Sequence, residues 1–204
     1  PNGVTALCDV NLEISKGEFV FIIGASGSGK STLIKLLYRQ EKPSRGEVYV
    51  GGVNVSKLRN GKVYKLRRKL GIVFQDYKLL PKLTVYENIA FALEVYGLPE
   101  SDIRKRTLKA IEQVGLKDKL RSYPDELSGG EKKKNEILQM LILNPKLAIL
   151  DETDSGLDVD AIRTVSKGIS LYHNDENGVL IITHSTKILE NLKVDKVHVL
   201  VDGK

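Results

Sequence analysis

The segment Gly24-Ala25-Ser26-Gly27-Ser28-Gly29-Lys30-Ser31 constrains this chain more than any other feature. It matches the pattern G-x-x-x-x-G-K-[ST], and its flanks are those the pattern needs. Upstream, Glu18-Phe-Val-Phe-Ile-Ile23 is a near-continuous apolar run, as in a strand buried on both faces. Downstream, Leu33, Ile34, Leu36 and Leu37 have helical spacing. Without Cβ atoms in the way, backbone N–H groups of 26–31 can converge on phosphate oxygens, and the helix N-terminus adds its positive dipole. The pattern nominates Gly24, Ser26, Gly27, Ser28, Gly29, Lys30, Ser31 and Thr32 to hold the phosphates of a nucleotide such as ATP. Lys30 would reach the β- and γ-phosphates and the Ser31 hydroxyl would ligate Mg²⁺. The bland alternative is an ordinary glycine-rich strand–helix turn.

Leu147-Ala-Ile-Leu150, Val179-Leu-Ile-Ile-Thr183 and Lys196-Val-His-Val-Leu-Val201 predict three more strands. Gly46-Glu-Val-Tyr-Val50, followed by Gly51-Gly52, alternates and predicts an exposed antiparallel strand. Between about Lys78 and Asn144 strand signals vanish. Thr84 to Tyr96 has helical spacing at Val85, Ile89 and Leu93 and stops at Gly97-Leu98-Pro99. Ser101-Asp102 would cap a second helix reaching Val114. Alternating strands and helices predict an α/β fold with a mostly parallel sheet and a helical insertion.

Composition excludes several classes. One cysteine, Cys8, in 204 residues rules out a disulfide framework and any cysteine-based metal site, and reads as a small apolar residue. No apolar run approaches the roughly 20 residues of a membrane span. Pro1-Asn2-Gly3-Val4 opens no export signal, so a cytoplasmic chain is expected. The net charge of +6 discriminates poorly between partners. Arg67-Arg68-Lys69, Arg104-Lys105-Arg106 and Lys132-Lys133-Lys134 read as solvated helix faces, with no interleaved aromatics for stacking single strands.

A phosphate loop needs a carboxylate for the metal and a group to orient water. The Leu147 strand ends in Asp151-Glu152, at the carboxyl edge where parallel-sheet sites lie. Asp151 is the candidate for Mg²⁺ and Glu152 for polarising the attacking water. Alone, the pair would read as a loop start or cap.

Leu127-Ser128-Gly129-Gly130-Glu131 resembles the signature sequence of the ATP-binding cassette (ABC) ATPases. Gln75 resembles the family's Q-loop glutamine, Ser155-Gly156-Leu157-Asp158 its D-loop and His184 its switch histidine. The resemblance implies a P-loop NTPase core with a small, N-terminally trimmed antiparallel β-subdomain. It implies one domain over 1–204, with the core in 1–77 and 145–204 and a helical subdomain in 78–144. It also implies a homodimer formed on ATP binding, in which Ser128, Gly129 and Gly130 face the partner protomer's γ-phosphate. Glu152, His184, Lys30 and Gln75 would then be catalytic, Ser31, Gln75 and Asp151 would meet the metal, and Asp158 would join the nucleotide site. Ser128 and Glu131 also fit a plain helix cap, and both readings can hold. His173 and His198 read as surface or structural residues.

Residues 1–131 resemble the cell-division branch of the family, FtsE-like, through Phe74-Gln-Asp-Tyr-Lys-Leu-Leu-Pro81 and Thr84-Val-Tyr-Glu-Asn88. Residues 130–204 resemble the iron–sulfur assembly branch, SufC-like, through Glu131-Lys-Lys-Lys-Asn-Glu-Ile-Leu-Gln-Met140 and Asp151-Glu-Thr-Asp-Ser-Gly-Leu-Asp158. Thr153 stands where FtsE-like chains would carry Pro. A designed chimera joined at the shared Ser-Gly-Gly-Glu is the preferred account, a divergent natural protein the alternative. The adenine-stacking aromatic of the family would lie before Pro1. Lys134 stands where an Arg commonly follows the signature, and lacks its bidentate geometry. The expected partner is an FtsX-like membrane subunit, placing the chain peripherally at the inner membrane face; the alternative is a soluble iron–sulfur scaffold. A folded nucleotide-binding domain with little turnover is a third reading. Nucleic acid is not an expected partner, because the interval from Ser31 to Leu127 has no room for a coiled coil or zinc module.

Overall fold

The computed structural model describes residues 5–154, 157–184, 188–189 and 192–204. Its centre is a five-stranded sheet in the order β4-β5-β6-β1-β7, formed by Leu70–Val73, Leu147–Asp151, Gly178–Thr183, Phe19–Ile23 and Lys196–Val199. Every pairing in it is parallel. The expected mostly parallel α/β fold is what the chain adopts.

Pleating divides β1 between two cores. Phe19 and Phe21 join Ala148, Leu150, Val179 and Ile181 on one face, against Ile137, Val165 and Ile169. Val20 and Ile22 join Ile149, Leu180 and Ile182 on the other, against Leu33 and Ile34. The first face is covered by α5 (Gly129–Leu143) and α6 (Val159–Tyr172), the second by α1 (Lys30–Leu37). The apolar runs are continuous because both faces of these strands are covered. Crossover helices on each side also force the parallel strands to end along one edge.

The antiparallel element is shorter than its sequence suggested: β2 is Tyr49–Val50 and β3 is Val53–Asn54. Strand β4 is absent from the sequence reading. It is short and carries Gly71, over which Met140 and Pro145 close. Short α2 (Val63–Arg67) precedes it.

Helix α3 (Val85–Glu94) starts where Thr84 and Glu87 form a capping box. Helix α4 (Glu100–Gln113) starts before the expected Ser101-Asp102 cap. Its N-cap is Pro99, with no side-chain cap, so Ser101 and Asp102 lie within the first turn. Val85, Ile89, Ile111, Leu127 and Leu138 form a third core between α3, α4 and α5. Among the described residues no helix is long and apolar enough to cross a membrane.

Candidate nucleotide site

Gly29 forms the N-cap of α1 with φ 101°, a left-handed conformation, and no side chain caps the helix. A Cβ there would lie 2.5 Å from the Ala6 carbonyl oxygen and 2.7 Å from Leu7 Cδ2, so only glycine fits. Without a side-chain cap, and with no acidic residue in the first turn, the first amides of α1 are available to an anion. Lys30 is buried, and its Nζ donates hydrogen bonds of 2.7 Å each to the carbonyls of Gly24 and Ala25. The loop thereby holds its own cation at the helix start.

A cavity of about 250 Å³ is lined by Ser26, Gly27, Gly29, Lys30, Ser31 and Thr32, together with Ala6, Gln75 and Glu152. Gln75 follows β4 and Glu152 follows β5, so the parallel register carries both to the edge where β1 delivers the loop. Gly24 and Ser28 line a second cavity of about 210 Å³ beside residues 199–202, which shares Ser26 and Gly27 with the first.

Asp151 ends β5. Burial, and then the neighbouring Glu152 charge, push its carboxyl up to about 6, while Lys30, Lys133 and Lys35 pull the other way. Glu152 has φ 45°, a left-handed conformation that costs a side-chain-bearing residue about 1–2 kcal/mol. Its N–H donates to the Ile182 carbonyl at 2.7 Å, which ties the turn to β6. His184, just past β6, puts Nδ1 3.4 Å from Glu152 Oε1. Thr183 Oγ1 donates to Asp154 Oδ1 at 2.8 Å in the interior. That second tether is not legible in the sequence, because it joins the turn after β5 to the end of β6.

Ser128, Gly129, Gly130 and Asp158 line neither cavity. Ser128 Oγ accepts from the Glu131 N–H at 3.3 Å, and Glu131 Oε2 accepts from the Ser128 N–H at 2.8 Å. The capping reading of the signature therefore holds. Asp158 caps α6 by accepting from the Ala161 N–H at 2.7 Å. A Cβ on Gly130 would lie 3.2 Å from Ala161 Cβ, so the starts of α5 and α6 lie side by side. Ser155 and Gly156 of the expected D-loop lie outside the described residues.

Lys133 is not on a solvated face: it is 1% exposed and pairs with Glu136 at 2.9 Å. Cys8 is exposed rather than packed. His173 is structural, with Nε2 2.8 Å from the Gly17 carbonyl oxygen and its ring against Phe19.

A parallel sheet whose first strand runs through a glycine-rich turn into an uncapped helix, with carboxylates at the end of the strand two places away, defines a P-loop nucleoside triphosphatase. The ABC transporter family matches residues 7–155, and the chain belongs to that family, as an ATPase. It is 43% identical over 203 residues to the cell division ATP-binding protein FtsE of Bacillus subtilis (strain 168), covering 100% of this chain and 89% of that protein. It is 40% identical over 203 residues to the methionine import ATP-binding protein MetN of Carboxydothermus hydrogenoformans, covering 98% of this chain and 60% of that protein. A dimeric structure of the ATP-binding cassette MJ0796 in a post-hydrolysis state, bound to ADP and Pi, superposes with TM-score 0.87. It is 32% identical, covering 97% of this chain and 87% of that one. The resemblance to the cell-division branch thus extends through both halves of the chain.

Proposed function

We propose that the chain binds MgATP and hydrolyses its β–γ phosphoanhydride in a sandwich of two copies. The supporting observation is that Lys30, Ser31, Gln75 and Glu152, from three separate strand ends, line one cavity. Lys30 and the α1 amides hold the β- and γ-phosphates. Glu152 orients and polarises the water that attacks γ-phosphorus as the oxygen of ADP leaves. His184, beside Glu152, contacts the γ-phosphate. Ser128, Gly129 and Gly130 present their amides to the nucleotide of the second copy, where Asp158 lies beside them.

Ser31, Gln75 and Asp151 offer a hydroxyl, an amide oxygen and a carboxylate, the hard oxygen donors that suit Mg²⁺. Among the described residues no three acidic, histidine or cysteine side chains cluster as a protein-only cage. When bound, Mg²⁺ supplies charge neutralisation at the phosphate oxygens.

We assign 78–144 as a helical subdomain carrying the signature, on a core of 1–77 and 145–204. The FtsE-like extent favours coupling to an FtsX-like membrane subunit at the inner membrane face, in cell division. The second reading is a chimera whose residues after about Glu131 derive from an iron–sulfur assembly ATPase serving a soluble scaffold. Thr153, where the resemblance to FtsE-like chains leads one to expect Pro, supports it. ATPase rate against protein concentration tests the sandwich: a rate rising with the square of concentration supports it, and strict proportionality from the lowest concentrations overturns it.

A further inference from the structure

The buried pair on α5 has partners beyond itself. Glu136, 5% exposed, pairs with Lys133, 1% exposed. Its Oε1 also accepts from the Phe74 N–H at 3.4 Å and the Lys78 N–H at 3.3 Å. Lys133 Nζ donates to the Phe74 carbonyl at 2.7 Å and sits 4.9 Å from the centre of the Tyr77 ring. Tyr77 in turn covers Gly129: a Cβ there would lie 2.9 Å from the Tyr77 hydroxyl oxygen. The segment 74–78, which carries Gln75, is therefore pinned at both ends to the first turns of α5.

A buried ion pair is weak evidence of stability, because desolvating two charges offsets their attraction. Two apolar side chains would fill the same space at similar or lower cost. What they could not supply is an acceptor for the amides of Phe74 and Lys78, and a donor for the Phe74 carbonyl. We infer that Glu136 is a positioning residue for Gln75, with Lys133 as its counter-charge, and that the pair makes the 74–78 segment and the start of α5 one rigid unit. The inference rests on the placement of Gln75 in the MgATP site proposed above. The two residues act through Gln75 and touch neither nucleotide nor metal.

Three measurements on the full chain test it. Lys133→Met/Glu136→Leu removes the polar latch without stranding a charge. Lys133→Met/Glu136→Gln restores an acceptor oxygen at the same reach. For the first, kcat should fall roughly 10–100-fold, the scale for losing a residue that supports a ligand group. Its Mg²⁺-independent affinity for a fluorescent ATP analogue should stay within about twofold, while thermal unfolding falls because the Phe74 and Lys78 amides lose their acceptor. The glutamine variant should recover most of that loss. Equal kcat in all three proteins would overturn the assignment, and so would equal impairment of both folded variants. Should the variants fail to fold, amide exchange on the wild type decides: protected Phe74 and Lys78 amides support the latch, and rapid exchange at both overturns it. A wild type that does not hydrolyse ATP would instead refute the proposed function, which the exchange measurement reports separately.

Discussion

His184 Nδ1 lies 3.4 Å from Glu152 Oε1, joining the ends of the adjacent strands β6 and β5. Glu152 is held from two directions, because its N–H also donates to Ile182, two residues before His184. The carboxylate is thereby aimed by β6 rather than by its own strand. A water placed by this arrangement would find an acceptor whose orientation costs nothing at the moment of reaction.

Glu152→Gln is expected to keep ATP binding and to slow hydrolysis by at least about 100-fold, the scale for losing a positioned base. An ATP-bound dimer should accumulate. Light scattering with MgATP reads the mass, and a phosphate-release assay reads the rate. Full turnover in the mutant would remove Glu152 from this role.

The same residue carries a conformational cost. Its φ of 45° lies where glycine is at ease and other residues are strained. Glu152→Gly should therefore raise stability by about 1 kcal/mol while abolishing turnover. Urea denaturation of the nucleotide-free protein checks the gain, and a midpoint below wild type would contradict it.

Lys30→Ala should weaken MgATP binding roughly 10–100-fold, the equivalent of a hydrogen bond to a charged group. The Gly24 and Ala25 carbonyls also lose their shared donor, so thermal unfolding should be followed in parallel. Unchanged affinity for a fluorescent ATP analogue would place the nucleotide elsewhere.

Asp151 gives a pH dependence with a definite sign. Its folded pKa is raised to about 6 from an ordinary 3.8, so the folded state prefers the neutral acid. Stability from this group is present below 3.8 and is lost as pH rises through about 6. Asp151→Asn keeps the shape without the charge. It should raise the Tm of the nucleotide-free protein above pH 6, with the gap closing as pH falls below that value. A gap that does not change with pH would show that Asp151 is not the source.

The parts of the site legible in the sequence are those whose chemistry is contiguous. Gly24–Ser31 states its own geometry, because turn, amides and lysine all fall within one strand–helix junction. Glu152 was legible as a carboxylate after a strand, but its left-handed backbone was not, since that depends on a hydrogen bond to a residue thirty positions away. The burial of Lys133 is not legible for a similar reason. In Lys132-Lys133-Lys134 only the docking of the Phe74 segment distinguishes the middle lysine from its neighbours. Strand β4 escaped because its four residues include a glycine, and its burial depends on Met140 and Pro145 from elsewhere.

The stripe on α5 sets the last expectation. Leu138 packs with Val85, Ile89 and Ile111 between α3, α4 and α5, whereas Ile137 packs with Val165 and Ile169 beneath the sheet. Adjacent positions on a helix point about 100° apart, and α6 takes Ile137. Leu141 borders both clusters. The helical region thus has a core of its own, joined to the sheet core through one side of α5. Leu138→Ala should cost about 2–5 kcal/mol within that smaller core. If 78–144 is a cooperative unit, the loss should appear first as faster amide exchange across 84–143. Amides of Phe19–Ile23, Leu147–Asp151 and Gly178–Thr183 should keep their protection until global unfolding. A uniform rise across both regions would mean that α3, α4 and α5 open only with the sheet, and the division at 78 and 144 would fall.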